Sequence, residues 1–239
     1  MPLYRMAGLY VKMDPRHERL KKYAEKYLCD FEQLPSNATV IDINISEEYV
    51  KERQKESPHL SIEDCEYIWF GYCLGVKLLK NNGFILHSSA VMYENKAYLF
   101  SADSGTGKST HTHFWQEVFG SNKAVIINDD KPAIREVDGV FYASGTPFSG
   151  KSDLSTNVVV PVKALCFIYR SDVNEIRKLD SSEALELIFE QIFRPKQSEN
   201  IVLLLDVLDS FFKKVPVYSL GVTYTPESAE FAYREINKV

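Results

Sequence analysis

The stretch Ala102-Asp103-Ser104-Gly105-Thr106-Gly107-Lys108-Ser109 lies between an apolar run at 97–100 and an amphipathic helical pattern over 108–119. It meets G-x-x-x-x-G-K-[ST] at every position but the first, where Ala102 replaces glycine. Small residues in such a bend let successive backbone N–H groups turn toward phosphate oxygens. Lys108 then supplies a cation for the β- and γ-phosphates and Ser109 a hydroxyl for magnesium, while the helix N-terminus adds positive potential. Residues Asp103, Ser104, Gly105, Thr106, Gly107, Lys108, Ser109 and Thr110 are therefore read as the site of a nucleoside triphosphate. A loop between a strand and a helix places it in an α/β domain.

Working outward, residues 124–128 form an apolar run of strand length ending in Asp129-Asp130. An aspartate there is where a nucleotide-binding sheet commonly delivers a carboxylate to magnesium. Two adjacent carboxylates repel unless a cation or proton is shared between them. The other reading is an exposed acidic turn ahead of Lys131-Pro132. Upstream of the loop, the strand pattern over 84–93 contains His87, Ser88 and Ser89. A lone histidine in an apolar strand is commonly a core residue. Here a hairpin turning at Glu94-Asn95 into 96–102 would carry His87 back beside the loop.

Composition narrows the field. The chain has 239 residues, 45% hydrophobic and 26% charged, enough for a real core. A net charge of −5 leaves no basic stripe for nucleic acid, and the clusters at 16–26 and 213–214 read as solvated faces. The four cysteines form no C-x-x-C pair and have no histidine at zinc-ligand spacing. No signal-peptide pattern and no apolar run of membrane length is present, so a cytoplasmic protein is expected.

Elsewhere the patterns predict a strand at 9–12 and a helix capped by Asp14-Pro15, with Leu20, Tyr23, Ala24, Tyr27 and Leu28 on its apolar face. Ile41, Ile43 and Ile45 alternate as on a strand. Ser61 starts the longest helix, with Asp64 placed to cap back and Asn81-Asn82-Gly83 at its end. Its expected buried stripe is Cys65, Ile68, Trp69, Tyr72, Val76 and Leu79. That regular spacing assigns the aromatic residues to the core rather than to a ligand platform. Asp138-Gly139 predicts a hairpin between 133–136 and 140–143. A strand follows at 158–169, where Pro161 suggests an edge or a break. Helices are expected at 182–193, 199–213 and 226–237, the last capped by Thr225, with a strand at 215–221. The working division is an N-terminal module, 1–82, packed on a nucleotide core, 83–239.

Taken together, the ordered motifs resemble the family of HPr kinase/phosphorylase and ATP-dependent phosphoenolpyruvate carboxykinase. Asp103-Ser104-Gly105-Thr106-Gly107-Lys108-Ser109 is similar to the D-S-G-x-G-K-S of the kinases. His87-Ser88-Ser89-Ala90 is similar to the H-C-S-A of the carboxykinases, and Asn128-Asp129-Asp130 to the aspartate pair of both. The match covers about residues 84–150. The segment 145–151 and Phe193-Arg194-Pro195 further resemble small HPr-kinase-like proteins encoded near bacterial peptide-modification genes.

The resemblance implies a carboxykinase-like α/β fold: a mixed sheet, the P-loop between strand and helix, and flanking helices. It implies ATP and Mg2+ as cofactors, with Lys108 on the β- and γ-phosphates and Ser109 and Asp130 on the metal. Asp129 becomes the base for an acceptor hydroxyl, although the two aspartates could exchange roles. His87 stands beside the pair. Arg194 is either a cation for the transferring phosphate or a surface arginine. The segment 145–151 is either a substrate-facing loop or a surface connection. No further acidic metal residue of the kinase type follows the pair; only Lys151 and Asp153 stand nearby. The large N-terminal domain of the carboxykinases has no room here, so carboxykinase activity is not expected.

The expected activity is phosphorylation of a hydroxyl on a protein, peptide or metabolite, without nucleic-acid or membrane partners. The alternative is a nucleotide-binding regulatory or partner module without transfer. The resemblance also implies a homo-oligomer, although no segment of the sequence marks an interface.

Overall fold

The computed structural model describes residues 1–238, apart from the side chain of Gln33; position 239, the end of the expected 83–239 core, lies outside the described residues. Strands β1 (Leu3–Met6) and β2 (Leu9–Met13) pair antiparallel. After α1 (Glu18–Ala24), β3 (Val40–Ile43) joins β2 in parallel, and α2 (Glu47–Glu56) and α3 (Ile62–Leu79) follow.

Asp14-Pro15 does not start α1, which begins at Glu18. The acceptors for its entry come from α3. Glu66, buried, accepts the backbone N–H groups of Arg16 (2.8 Å) and His17 (2.9 Å), and Glu63 accepts that of Arg19 (3.0 Å). Carboxylates delivered by packing satisfy the donors that a local cap would have served. The helix also ends sooner than its pattern: Leu28 lies beyond a 3-10 turn and is exposed.

Ser61 and Asp64 do form the capping box of α3. The buried face of this helix keeps Cys65 and Leu79 of the expected stripe but not the rest. Tyr67, Phe70, Leu74 and Leu78 are buried, whereas Ile68 is 47% exposed and Trp69, Tyr72 and Val76 are only half-buried. The helix is apolar on nearly every side, so spacing alone could not choose the face.

The second part contains β4 (Gly83–Ile85), β5 (Ser88–Tyr93), β6 (Lys96–Ser101), α4 (Lys108–Phe119), β7 (Val125–Asn128), β8 (Ala133–Val137) and β9 (Val140–Ser144). It continues through β10 (Val159–Arg170), β11 (Glu175–Lys178), α5 (Ser181–Gln191), α6 (Ser198–Lys214), β12 (Val217–Val222) and α7 (Glu227–Asn237). The helix α7 begins after Pro226, so Thr225 is not its N-cap. Nine strands form one mixed sheet in the order β4-β8-β9-β10-β6-β5-β7, with β12 on β10 and β11 on β12. Only the contacts of β10 with β6 and β12 are parallel; the rest of this sheet is antiparallel.

Pro161 marks a handover. Residues 159–161 of β10 pair with β9, whereas 165–170 pair with β12 on the same edge. A residue without an N–H suits the point where one neighbour leaves and another arrives.

Alternation along the strands sorts side chains to two faces. Ala97 and Leu99 of β6, with Leu165 and Phe167 of β10, pack under α5 and α6. Tyr98 and Phe100, with Ala164, Cys166 and Ile168, pack under α4 and α7. Helices thus cover both faces of the sheet, giving a mixed α/β architecture with seven α-helices among the described residues. The N-terminal cluster is a third one, shared with Ile85, Ala133 and Phe148. No helix among the described residues is long and apolar enough to cross a membrane.

Candidate active site

Strand order alone brings the motifs together. The strand β5 lies between β6 and β7 and runs antiparallel to both. The ends of β6 and β7 and the start of β5 therefore meet at one edge: Ser88 pairs with Ser101, and Ala90 with Asn128. That edge carries the 102–107 bend, Asp129-Asp130 and His87.

His87 is not inside a strand. The expected strand 84–93 breaks at Leu86–His87, because β4 pairs with β8 while β5 turns to β6 and β7. At the break, His87 N–H donates to the Gln191 carbonyl (2.7 Å) and Leu86 N–H to that of Pro132 (3.2 Å).

In the bend, Gly107 has φ 111° and ψ 25° and stands as the N-cap of α4. A Cβ there would meet the Tyr224 ring at 2.2 Å, so glycine is required by conformation and by space. Gly105 also has positive φ but faces open space. Ala102 does not take a left-handed backbone, which explains why alanine serves in the first position. Its carbonyl and that of Asp103 accept Lys108 Nζ at 2.8 and 3.2 Å. Burial pushes the Lys108 ammonium below its ordinary pKa, and Asp130, Asp103 and Asp129 oppose that shift. Arg170 reaches across to the Gly105 carbonyl (3.3 Å) while lying over the Tyr224 ring.

The aspartates are held differently. Asp129, 9% exposed, accepts Ser89 Oγ (2.7 Å) on one oxygen and Ser152 Oγ (3.0 Å) on the other. Asp130 accepts Lys131 Nζ at 2.7 Å and lies 3.4 Å from His87 Nε2. The turn bearing both is fixed by Asn128, whose side-chain oxygen accepts the N–H groups of Asp130 (3.0 Å) and Lys131 (2.7 Å). The segment 145–151 folds over the pair: Gly150 N–H donates to Tyr67 Oη (3.0 Å), and a Cβ on Gly150 would lie 3.0 Å from Asp130 Cβ.

Gln191 joins the parts. Its amide nitrogen donates to Asp103 Oδ1 (2.9 Å), which leaves its oxygen facing His87 Nδ1 (2.9 Å). His87 Nδ1 must then carry the hydrogen, and in the neutral ring Nε2 keeps its lone pair toward Asp130. Burial, reinforced by Lys108, lowers the His87 pKa, with Asp130 acting the other way.

These groups surround a cavity of about 750 Å³ lined by His87, Ser104, Gly105, Gly107, Lys108, Ser109, Thr110, Asp129 and Asp130, with Ser149, Gly150 and Lys151 from the covering segment and Ser152 just after it. Asp103 and Thr106 shape the bend without lining it, Thr106 N–H donating to the Asp103 carbonyl. Arg194 is not brought there: its side chain is exposed, 4.0 Å from Glu190. The C-terminal end of α5 sends Gln191 inward and leaves Arg194 outside. Gln191, Ser152, Arg170 and Tyr224 carry no motif of their own in the sequence; only their neighbourhood to 145–151 and 193–195 could have pointed to the first two.

Among the described residues, no group of three or more His, Cys, Asp or Glu side chains forms a self-sufficient metal cage. Ser109 and Asp130 both line the cavity, and a hydroxyl with one carboxylate suits Mg2+, which commonly takes one or two carboxylates beside water and substrate phosphates.

No family model and no curated protein matches the chain. Among solved structures it is similar to the HPr(Ser) kinase/phosphatase from Coxiella burnetii, at 11% identity and a TM-score of 0.39, over 63% of this chain and 94% of that one.

Proposed function

We propose that this protein is a magnesium- and ATP-dependent kinase acting on a hydroxyl group. The supporting observation is one cavity that gathers a glycine bend ending in a lysine and a hydroxyl, a helix N-terminus and two separately held aspartates. Phosphoryl transfer asks mainly for positioning and charge neutralisation, and these groups supply both. On this reading 102–110 is a phosphate loop in a carboxykinase-type domain, and 1–82 is a module packed on it.

Lys108 exchanges its two carbonyl acceptors for β- and γ-phosphate oxygens. Backbone N–H groups of 104, 105 and 107–109 hold the remaining oxygens. Mg2+, when held by Ser109 and Asp130, supplies further neutralisation of the phosphate charge. Asp129, steadied by Ser89 and Ser152, takes the proton as the acceptor oxygen bonds to the γ-phosphorus. The bond from that phosphorus to the β,γ-bridging oxygen breaks, and ADP leaves with the electron pair. His87 Nε2 is placed to share a proton with Asp130. Lys151, rather than Arg194, is the extra cation on the wall.

Incubation with γ-labelled ATP, Mg2+ and a panel of hydroxy amino acids, sugars and peptides tests the reading. Label should move to an acceptor with the native chain and fall by about a hundredfold or more in Lys108→Ala. Equal transfer by both proteins would overturn it.

A further inference from the structure

Behind His87 lies a second cavity, of about 470 Å³. One side of it is apolar, with Ile68, Gly71 and Tyr72 of α3, Phe148 of the covering segment and Phe193 after α5, while Glu190 and Gln191 of α5 add polar groups at its edge. Tyr72 and Phe193 meet edge to face, centroids 4.4 Å apart. His87 lines both this cavity and the larger one, and Lys131, bonded to Asp130, lines this one. Ile68 projects into it with 47% of its surface exposed, on a helix whose other large apolar residues are mostly covered.

We infer that this cavity holds the body of the acceptor: a small hydroxyl compound, or a hydroxyl residue beside an apolar residue of a peptide, with an aromatic-sized apolar group. The inference rests on the kinase reading and names its substrate class. A volume of this size suits a drug-sized molecule or one or two side chains rather than a folded partner. The apolar wall recognises the body, and the polar edge at His87 is the side from which a hydroxyl reaches Asp129. A purely polar acceptor would leave the aromatic wall without a partner.

The test compares phenylalaninol with serinol, which share an amino alcohol and differ in the body. A second arm compares acetyl-phenylalanyl-serinamide with acetyl-glycyl-serinamide. The aromatic member of each pair should be phosphorylated with a kcat/KM at least about tenfold higher. The arm with the higher kcat/KM tells a free metabolite from a peptide. Ile68→Glu, at an exposed position, should keep the native melting temperature and bring the ratio near one; Phe193→Ala is the second variant.

Calorimetric binding of phenylalaninol provides a readout without turnover and should weaken at least about tenfold in Ile68→Glu. Equal kcat/KM within both pairs overturns the inference and leaves the kinase standing. Transfer to none of the four compounds, with no binding of phenylalaninol, overturns it as well. ATP affinity, measured separately, tells whether the nucleotide site has failed too.

Discussion

Gln191 Oε1 lies 2.9 Å from His87 Nδ1 while the same amide donates to Asp103 Oδ1 at 2.9 Å. One buried side chain therefore ties the break before β5 to the opening of the 102–107 bend. It also decides which ring nitrogen of His87 faces Asp130. Gln191→Leu should lower kcat by about 10- to 100-fold, as losing an outer positioning partner commonly does. The Gln191 hydrogen bond raises the His87 pKa, so its loss should move the acid limb of the pH profile to lower pH. Steady-state kinetics across pH check this; an unmoved limb would remove the positioning role.

Asp129 separates a kinase from a mere binder. Asp129→Asn keeps the shape and can still pair with Ser89 and Ser152. ATP affinity measured by calorimetry should change by less than about threefold, while transfer falls by about 10²- to 10⁴-fold. Retained transfer would point to another base.

The two loop glycines should differ in cost. Gly105→Ala meets open space and suffers only the left-handed backbone, about 1–2 kcal/mol. Gly107→Ala adds the collision with Tyr224, a further cost of about 1–3 kcal/mol. Thermal melting should rank them in that order, and Tyr224→Ala should restore part of the Gly107→Ala loss.

His111 sets an acid limit on stability. It is buried, accepts Trp115 Nε1–H on Nε2, and donates from Nδ1 to Ser228 Oγ, which donates on to the Thr225 carbonyl. A proton on Nε2 would face the indole N–H, and burial lowers the His111 pKa to about 3. The unfolded chain takes that proton near pH 6.5, the folded one does not. Stability is whole above 6.5 and falls by about 1.4 kcal/mol per pH unit below it, down to about pH 3. Denaturant melts at pH 7 and pH 5 should show this loss, and His111→Asn should shrink it.

Glu66 carries the entry to α1. Glu66→Ala leaves the N–H groups of Arg16 and His17 without their acceptor and should cost about 2–4 kcal/mol. Glu66→Gln keeps one acceptor oxygen and should lose about half as much. Chemical denaturation compares the two.

Some of this molecule was legible from residues alone. The helix over 108–119, the hairpin turns at 94–95 and 138–139 with their positive φ, and the Ser61–Asp64 capping box are all as the sequence reads. Each depends on sterics and hydrogen bonds within a few residues. The bend at 102–109 and the aspartates after β7 belong to the same class of signal, and the structure places them on one cavity.

Other features depend on partners far along the chain. His87 falls in a strand break because β4 and β5 pair with different neighbours. Gln191 and Asp103, bonded side chain to side chain, stand 88 positions apart. The exposed flank of α3 lines a cavity because aromatic residues from 148 and 193 close on it. The sequence by itself determined the local elements, the positive-φ turn glycines and the helix that starts after Gly107 among them. Only the tertiary structure decided which apolar face was buried and which carboxylate met which donor, because burial and long-range hydrogen bonds are set by the neighbours that folding brings in.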